Sequence, residues 1–283
     1  MTLETAWIVN TKEFKKITGE QKTVIVDITS KQSYDTHHIP GAIFLEYPSI
    51  VKHNPPVMGL IPDDAQLAAS LSLAGIKPDD YVIAYDEEGG GKASRLLWTL
   101  EIAGHKKMSL LDGGITNWLA ERRTTETKNN ILPPSKYPVI YSQFDGVADA
   151  DYILQHMEND DCKILDTRTY NEYIGTDVRT IRAGHIPGAV NIDWQRLKQP
   201  VTHLLLVKSD LEKLLMNNGI NKSKEVIVHC HSHHRSALAY VALKHLGYQK
   251  VKGYPGSWSD WANRSNTPVE YNTMVESDPL VES

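Results

Sequence analysis

Short apolar runs alternate with stretches of helical periodicity along most of the 283 residues. Trp7-Ile8-Val9 reads as a brief strand, Asn10 or Thr11 as the cap of a following helix, and Thr23-Val24-Ile25-Val26-Asp27 as a second strand. His37-His38-Ile39-Pro40-Gly41-Ala42-Ile43 then breaks the pattern with turn chemistry before extended chain resumes. Ser209-Asp210-Leu211-Glu212 fits a capping box, with Leu211, Leu214 and Leu215 as an apolar face and Asn218-Gly219 as the stop. Val226-Ile227-Val228 suits a buried strand, and Ala237, Leu238, Val241, Ala242 and Leu246 recur at helical spacing up to Gly247. Strands alternating with helices predict an α/β fold in which a mainly parallel sheet is flanked by helices on both faces.

The pattern occurs twice. Ile39-Pro40-Gly41-Ala42 is echoed by Ile186-Pro187-Gly188-Ala189, Val26-Asp27 by Leu165-Asp166, and Val82-Ile83-Ala84-Tyr85-Asp86 by Val226-Ile227-Val228-His229-Cys230. Asn117-Trp118 and Asp260-Trp261 close the series, with the landmarks in the same order in both halves. Arg122 to Asn130 is polar and unpatterned, and Pro133, Pro134 and Pro138 punctuate the next stretch of chain. The expected organisation is a first domain over 1–122, a linker over 123–138, a second domain over 139–276 opening on a strand at Val139-Ile140-Tyr141, and a frayed tail over 277–283.

Composition narrows the class: 41% hydrophobic and 23% charged residues describe a globular chain, and a net charge of -5 provides no general basic field. Nucleic acid and anionic membrane surfaces are therefore not expected partners. Two cysteines, Cys162 and Cys230, are too few for a disulfide framework and suit a reducing compartment. The amino terminus has no signal-peptide pattern and no run reaches membrane-spanning length, so a cytoplasmic location is the expectation. A monomer is expected, since duplication already supplies domain pairing.

Chemistry concentrates at Cys230. It ends an apolar strand and faces a helix start, where free N–H groups and the helix dipole favour negative charge. Arg235 and His231, His233 and His234 add positive potential, so a thiolate there should be more acidic than the ~8.5 of free cysteine. A buried structural cysteine among incidental histidines is the alternative. In the first half Asp86 stands where Cys230 stands in the second, and its loop, Glu87 to Lys92, has no nucleophile. Cys162 has no basic cluster beside it and reads as structural.

These motifs together resemble the tandem-domain rhodaneses, thiosulfate sulfurtransferases with an inactive first domain and a catalytic second one. The resemblance rests on Asp166-Thr167-Arg168 with Gly184 to Ala189 downstream, on the loop Cys230 to Arg235, and on Tyr254 to Trp258 with Pro268-Val269-Glu270. The loop is most similar to those of bacterial rhodaneses ending in His-His-Arg. The resemblance implies that Cys230 carries sulfur as a persulfide and that the amides of residues 230–235 surround it. His231, Ser232, His233, His234 and Arg235 would form the substrate loop, with no metal or organic cofactor. Loop amides and the Arg235 guanidinium would hold the thiosulfate dianion, with charge from His233 and His234 when protonated, while His231 should be exposed. Partners would be a small sulfur donor and a thiophilic acceptor such as cyanide, a dithiol, or a thiol-bearing or sulfur-carrier protein.

Asp166 and Arg168 are expected to hold the fold. Trp194 should lie near the loop, ordinary core packing being its alternative. Glu172 departs from the pattern: animal rhodaneses and mercaptopyruvate sulfurtransferases carry a substrate-binding arginine there. A carboxylate disfavours mercaptopyruvate unless Arg179 or Arg182 compensates. Phosphatases and arsenate reductases of the same fold need five residues between cysteine and arginine, whereas four separate Cys230 from Arg235. A metal module using His229, Cys230, His231, His233 and His234 is a further alternative, strained by its single short loop. A cysteine protease is the weakest.

Overall fold

In the computed structural model, which describes residues 6–141 and 145–271, each half folds around its own parallel sheet. The first half runs β1 (Ile8–Val9), α1 (Thr11–Glu20), β2 (Thr23–Asp27), α2 (Lys31–Thr36), β3 (Ile43–Phe44), β4 (Lys52–Asn54), β5 (Val57–Leu60), α3 (Asp64–Leu73), β6 (Tyr81–Tyr85), α4 (Gly91–Ile102), β7 (Met108–Leu111) and α5 (Gly114–Ala120). Its main sheet has the order β1-β7-β6-β2-β3 with every pairing parallel, and β4 and β5 form a separate antiparallel hairpin. The second half runs α6 (Ala150–His156), β8 (Cys162–Asp166), α7 (Tyr170–Ile174), β9 (Val190–Asn191), α8 (Lys208–Asn217), β10 (Glu225–His229), α9 (Arg235–His245), β11 (Val251–Gly253) and α10 (Ser257–Trp261). Its sheet, β11-β10-β8-β9, is again all parallel, and helices flank both sheets. Among the described residues no helix is long and apolar enough to cross a membrane.

Local chemistry accounts for most element boundaries. Asn10 caps α1 in a full capping box with Glu13, and Gly247, at φ +88°, lies just beyond the end of α9. Two expectations need correction. Val139-Ile140-Tyr141 forms no strand; the extended contact on that edge of the second sheet falls to Val147, bridged to Gly253. Ser209 does not cap α8, because the amide of Leu211 already bonds the Val207 carbonyl and the helix starts at Lys208 without a side-chain cap. The linker, polar as it is, lies on the first domain: Glu126 bridges His38, Asn130 bridges Ile43, and the Tyr137 amide donates to Ser72 Oγ. The tail over 277–283 lies outside the described residues.

What positions the site is the packing of α4 against α9, which follow β6 and β10 in equivalent places. Leu96, Leu97 and Leu100 share one apolar cluster with Leu238, Val241 and Ala242, so the core is continuous between the halves. Each buried leucine or valine in it contributes roughly 1.5–3 kcal/mol. Helices packed this way bring their preceding loops, Asp86 to Gly90 and Cys230 to His234, side by side.

Candidate active site

Cys230 directly follows β10 and is fully buried. The loop after it owes its shape to the direction of its carbonyls. Trp258 and Ser259 amides in α10 donate to the Cys230 and His231 carbonyls at 3.0 Å each. Arg95, from α4 of the other half, donates to the Ser232 and His233 carbonyls at 3.3 and 3.4 Å. With the carbonyls bonded outward, the amides of Ser232 and Ser236 and the Ser236 hydroxyl are left to bond the sulfur. Ser257 Oγ secures the loop from the far side, accepting from the amides of Cys230 at 3.3 Å and His233 at 3.0 Å. The chain passes so close to β5 that a Cβ on Gly59, at φ +70°, would collide with the Ser232 carbonyl.

Burial alone would raise the thiol's pKa, but the charge of Arg235, the Ser236 hydroxyl and the two amides outweigh it, and Cys230 is held below its usual value. Cys162, also free, shows the opposite case: burial at the start of β8, with Glu225 nearby, pushes it up to about 11.

Arg235 is the first residue of α9, and its guanidinium meets the Glu172 carboxylate through two bonds of 2.6 and 2.9 Å. That corrects its expected role as a free clamp on substrate: it acts on Cys230 by its charge, while its donor fork holds Glu172. Burial works against the Glu172 carboxylate, yet Arg235, the Thr169 amide and Arg179 lower its pKa to about 2. Glu172 also closes the capping box of α7. Of the two nearby arginines, Arg182 is engaged, whereas Arg179 is half-exposed and its Nη1 lies 3.6 Å from Glu172 Oε1. Arg182 is taken up by the backbone carbonyls of Trp261, Ala262, Arg264 and Thr267, and Arg179 pairs with Asp177 at 2.9 Å.

The histidines have separate fates. His231 is half-buried rather than exposed, because α10 holds its backbone; burial and Arg235 lower its pKa. His233 is fully buried with its ring 4.3 Å edge-on to Trp98, and burial followed by the charge of Arg95 depresses its pKa strongly. It is neutral, which corrects the expectation of a charge there, and its Nδ1 shares a 2.8 Å bond with Ser236 Oγ. His234 is the charged one. Burial opposes its charge, but Nε2 pairs with Glu88 Oε1 of the first half, and Glu88, Cys230 and Asp86 together raise its pKa. Trp194 is buried with its ring 6.0 Å from His234, and Lys198 Nζ sits 3.6 Å from its centroid. Asp166 is buried in a bond to Arg168 Nη2 at 2.6 Å, and Arg168 stacks on Trp258 at 4.3 Å. Among the described residues no group of three or more His, Cys, Asp or Glu side chains is arranged to hold a metal.

The equivalent place in the first half holds a carboxyl group, whose pKa burial and Glu88 raise against the pull of three amides. Asp86 Oδ1 accepts from the amides of Glu88 at 3.0 Å and Gly90 at 2.8 Å, and Oδ2 from Ala93 at 2.9 Å. A carboxyl group fills the amide nest that a sulfur occupies in the second half. Sequence reasoning missed Arg95, Glu88, Ser236 and Ser257. Only Ser257, inside the Tyr254 to Trp258 motif, and Ser236, next to the loop, carried a local signal.

A model of the rhodanese-like domain matches the sequence twice, over residues 10–121 and 149–264. The chain is similar to a thiosulfate sulfurtransferase of Azotobacter vinelandii, 41% identical over 249 residues that cover 87% of this chain and 90% of that protein. It is also similar to a 3-mercaptopyruvate sulfurtransferase of Escherichia coli strain K12, 31% identical over 242 residues, 84% of this chain and 85% of that one. Among solved structures, an anaerobic ergothioneine biosynthesis enzyme from Chlorobium limicola superposes with a TM-score of 0.84 at 20% identity, covering 95% of this chain and 71% of that one, a likeness of fold.

Proposed function

The chain belongs to the rhodanese family, and from that premise we propose that it transfers the outer sulfur of thiosulfate through a persulfide on Cys230. Two tandem domains divide the work. The second carries the nucleophile; the first, with Asp86 seated in its own nest, supplies one wall of the site.

The chemistry is double displacement. The Cys230 thiolate attacks the outer sulfur of thiosulfate, a new S–S bond forms, and the original S–S bond breaks with its electron pair leaving on sulfite. Cyanide or a thiolate then attacks the terminal sulfur of the persulfide, and the Cys230 thiolate is released. Each state on the enzyme carries negative charge at the same point, so fixed donors serve every step. Cys230 has no exposed surface, so a donor reaches it by displacing partly exposed loop side chains, of which His234 carries charge suited to a dianion.

The observation that carries this reading is the loop whose carbonyls are drawn outward while the Ser232 and Ser236 amides and the Ser236 hydroxyl converge on one sulfur. A phosphate ester would need the Arg235 fork, which Glu172 occupies. A carboxylate-bearing donor such as mercaptopyruvate would meet the Glu172 carboxylate, with the neighbouring Arg235 and Arg179 already paired to carboxylates. Two free thiols fit work in a reducing cytoplasm.

Steady-state assay with thiosulfate and cyanide tests the function. Thiocyanate and sulfite should appear together with parallel-line, ping-pong kinetics, and mercaptopyruvate should be the poorer donor. Hydrolysis of an aryl phosphate with no thiocyanate formed would overturn the proposal.

A further inference from the structure

Arg95 belongs to the half without a nucleophile, yet its side chain ends under the loop of the other half. It is completely buried. Its Nη1 spans the Ser232 and His233 carbonyls, Nη2 donates to the Leu60 carbonyl at 3.1 Å, and Nε to Thr99 Oγ1 at 3.4 Å. Trp98 covers the guanidinium at 4.9 Å. Among the described residues no carboxylate pairs with it.

A buried cation without a paired anion is costly, and proteins rarely keep one without use. Burial weakens the hold of Arg95 on its proton, while Tyr47, Cys230 and Tyr141 favour its charge. Tyr47 is itself pushed up to about 12 and Tyr141 is raised too, both by burial, so both are neutral near pH 7. The thiolate of Cys230 is the one anion of the three.

We infer that Arg95 is a positioning residue for Cys230, holding the Ser232 and His233 carbonyls outward from the opposite domain and so fixing the loop that surrounds the sulfur. It does for these two carbonyls what the amides of α10 do for the preceding two. The Ser232 amide, one of the donors to sulfur, shares its peptide plane with the His231 carbonyl that α10 holds, and Arg95 fixes the two peptide planes that follow it. The domain without a nucleophile thus helps to shape the loop of the domain that has one, and this inference rests on Cys230 being the sulfur carrier.

The test is the pH dependence of Cys230 alkylation by iodoacetamide, followed by intact mass in the full chain. It needs no turnover, so it fails or succeeds independently of the thiosulfate assay. Arg95→Met should move the alkylation midpoint up by about one pH unit or more, a tenfold loss of thiolate at a pH below both midpoints. Arg95→Lys keeps a cation but loses the fork and should fall between; it also stands in if Arg95→Met does not fold. Glu101→Gln loosens the same α4–α9 interface at Tyr240 and Lys244, away from the loop, and should leave the midpoint in place. In thiosulfate turnover, Arg95→Met should lower kcat more than it raises KM. A folded Arg95→Met or Arg95→Lys chain with the parent midpoint would overturn the inference, as would an equal rise in Glu101→Gln.

Discussion

Glu88→Gln tests whether the first domain sets the charge of the second domain's loop. The substitution keeps an oxygen for the Lys92 amide, which donates to Glu88 Oε1 at 3.1 Å, and removes the charge that faces His234 and, less directly, Lys92 and Asp86. His234 and Glu88 are 26% and 27% exposed, between the surface pairs worth under about 1 kcal/mol and the buried pairs worth about 3–5. A coupling of about 1–2 kcal/mol results, close to a tenfold change in the imidazole's affinity for its proton. In the parent, His234 titrates above its usual 6.5 and Glu88 below its usual 4.5. The stability from the raised histidine is complete below 6.5 and is lost as pH rises through its folded value; that from the lowered glutamate is present above 4.5 and is lost as pH falls through its folded value.

The catalytic readout comes from the same charges. In the parent the pair is neutral together until His234 loses its proton, after which the site carries one more negative charge and the KM for the thiosulfate dianion rises. In Glu88→Gln the rise should start from a lower KM, since the imidazolium is no longer offset, and should come about one pH unit earlier. KM profiles from about pH 5 to 9, with kcat recorded alongside, measure both. Profiles with the same midpoint in parent and variant would refute the reasoning.

Ser236→Ala removes a hydroxyl bonded to the thiolate, an interaction worth about 1.5–3 kcal/mol, so the Cys230 alkylation midpoint should climb by about one to two pH units while rates at high pH converge. Glu172→Gln preserves the α7 cap but leaves Arg235 without its anion, and should cost about 2–3 kcal/mol in denaturant unfolding at pH 7. Because Glu172 is lowered from 4.5 to about 2, that deficit should be full above pH 4.5 and shrink as pH falls towards 2; a constant deficit contradicts the ion-pair account. Asp86→Ala strips three amides of their acceptor, two of them buried and each of those worth about 1–3 kcal/mol, and should lower the melting temperature sharply; a parental melting curve would count against the filled nest.

The duplicated α/β architecture was readable because its signals are local: apolar runs of strand length, Pro-Gly turns at matching places, and glycines after helices. Cys230 was readable for a similar reason, since a thiol at a strand end before a helix is visible in one short stretch. What stayed hidden depends on the docking of the two halves. Arg95 looks like any arginine on a helix, and Glu88 like a loop carboxylate, until α4 packs on α9. The charges of the histidines were equally out of reach: His233 and His234 are neighbours in sequence, yet one meets Trp98 and Arg95 and the other meets Glu88. The linker's course was masked by its polar composition, because backbone bridges and side-chain bonds accompany the few apolar contacts that Leu132 and Tyr137 make with the core.

The central claim is that one sulfur rests on Cys230 between the two half-reactions. Intact mass with peptide mapping, taken after thiosulfate and again after cyanide, tests it most directly. The mass of one added sulfur should appear on the peptide containing Cys230, disappear on cyanide treatment, and be absent from Cys230→Ser. Sulfur found on Cys162, or turnover that persists in Cys230→Ser, would contradict it.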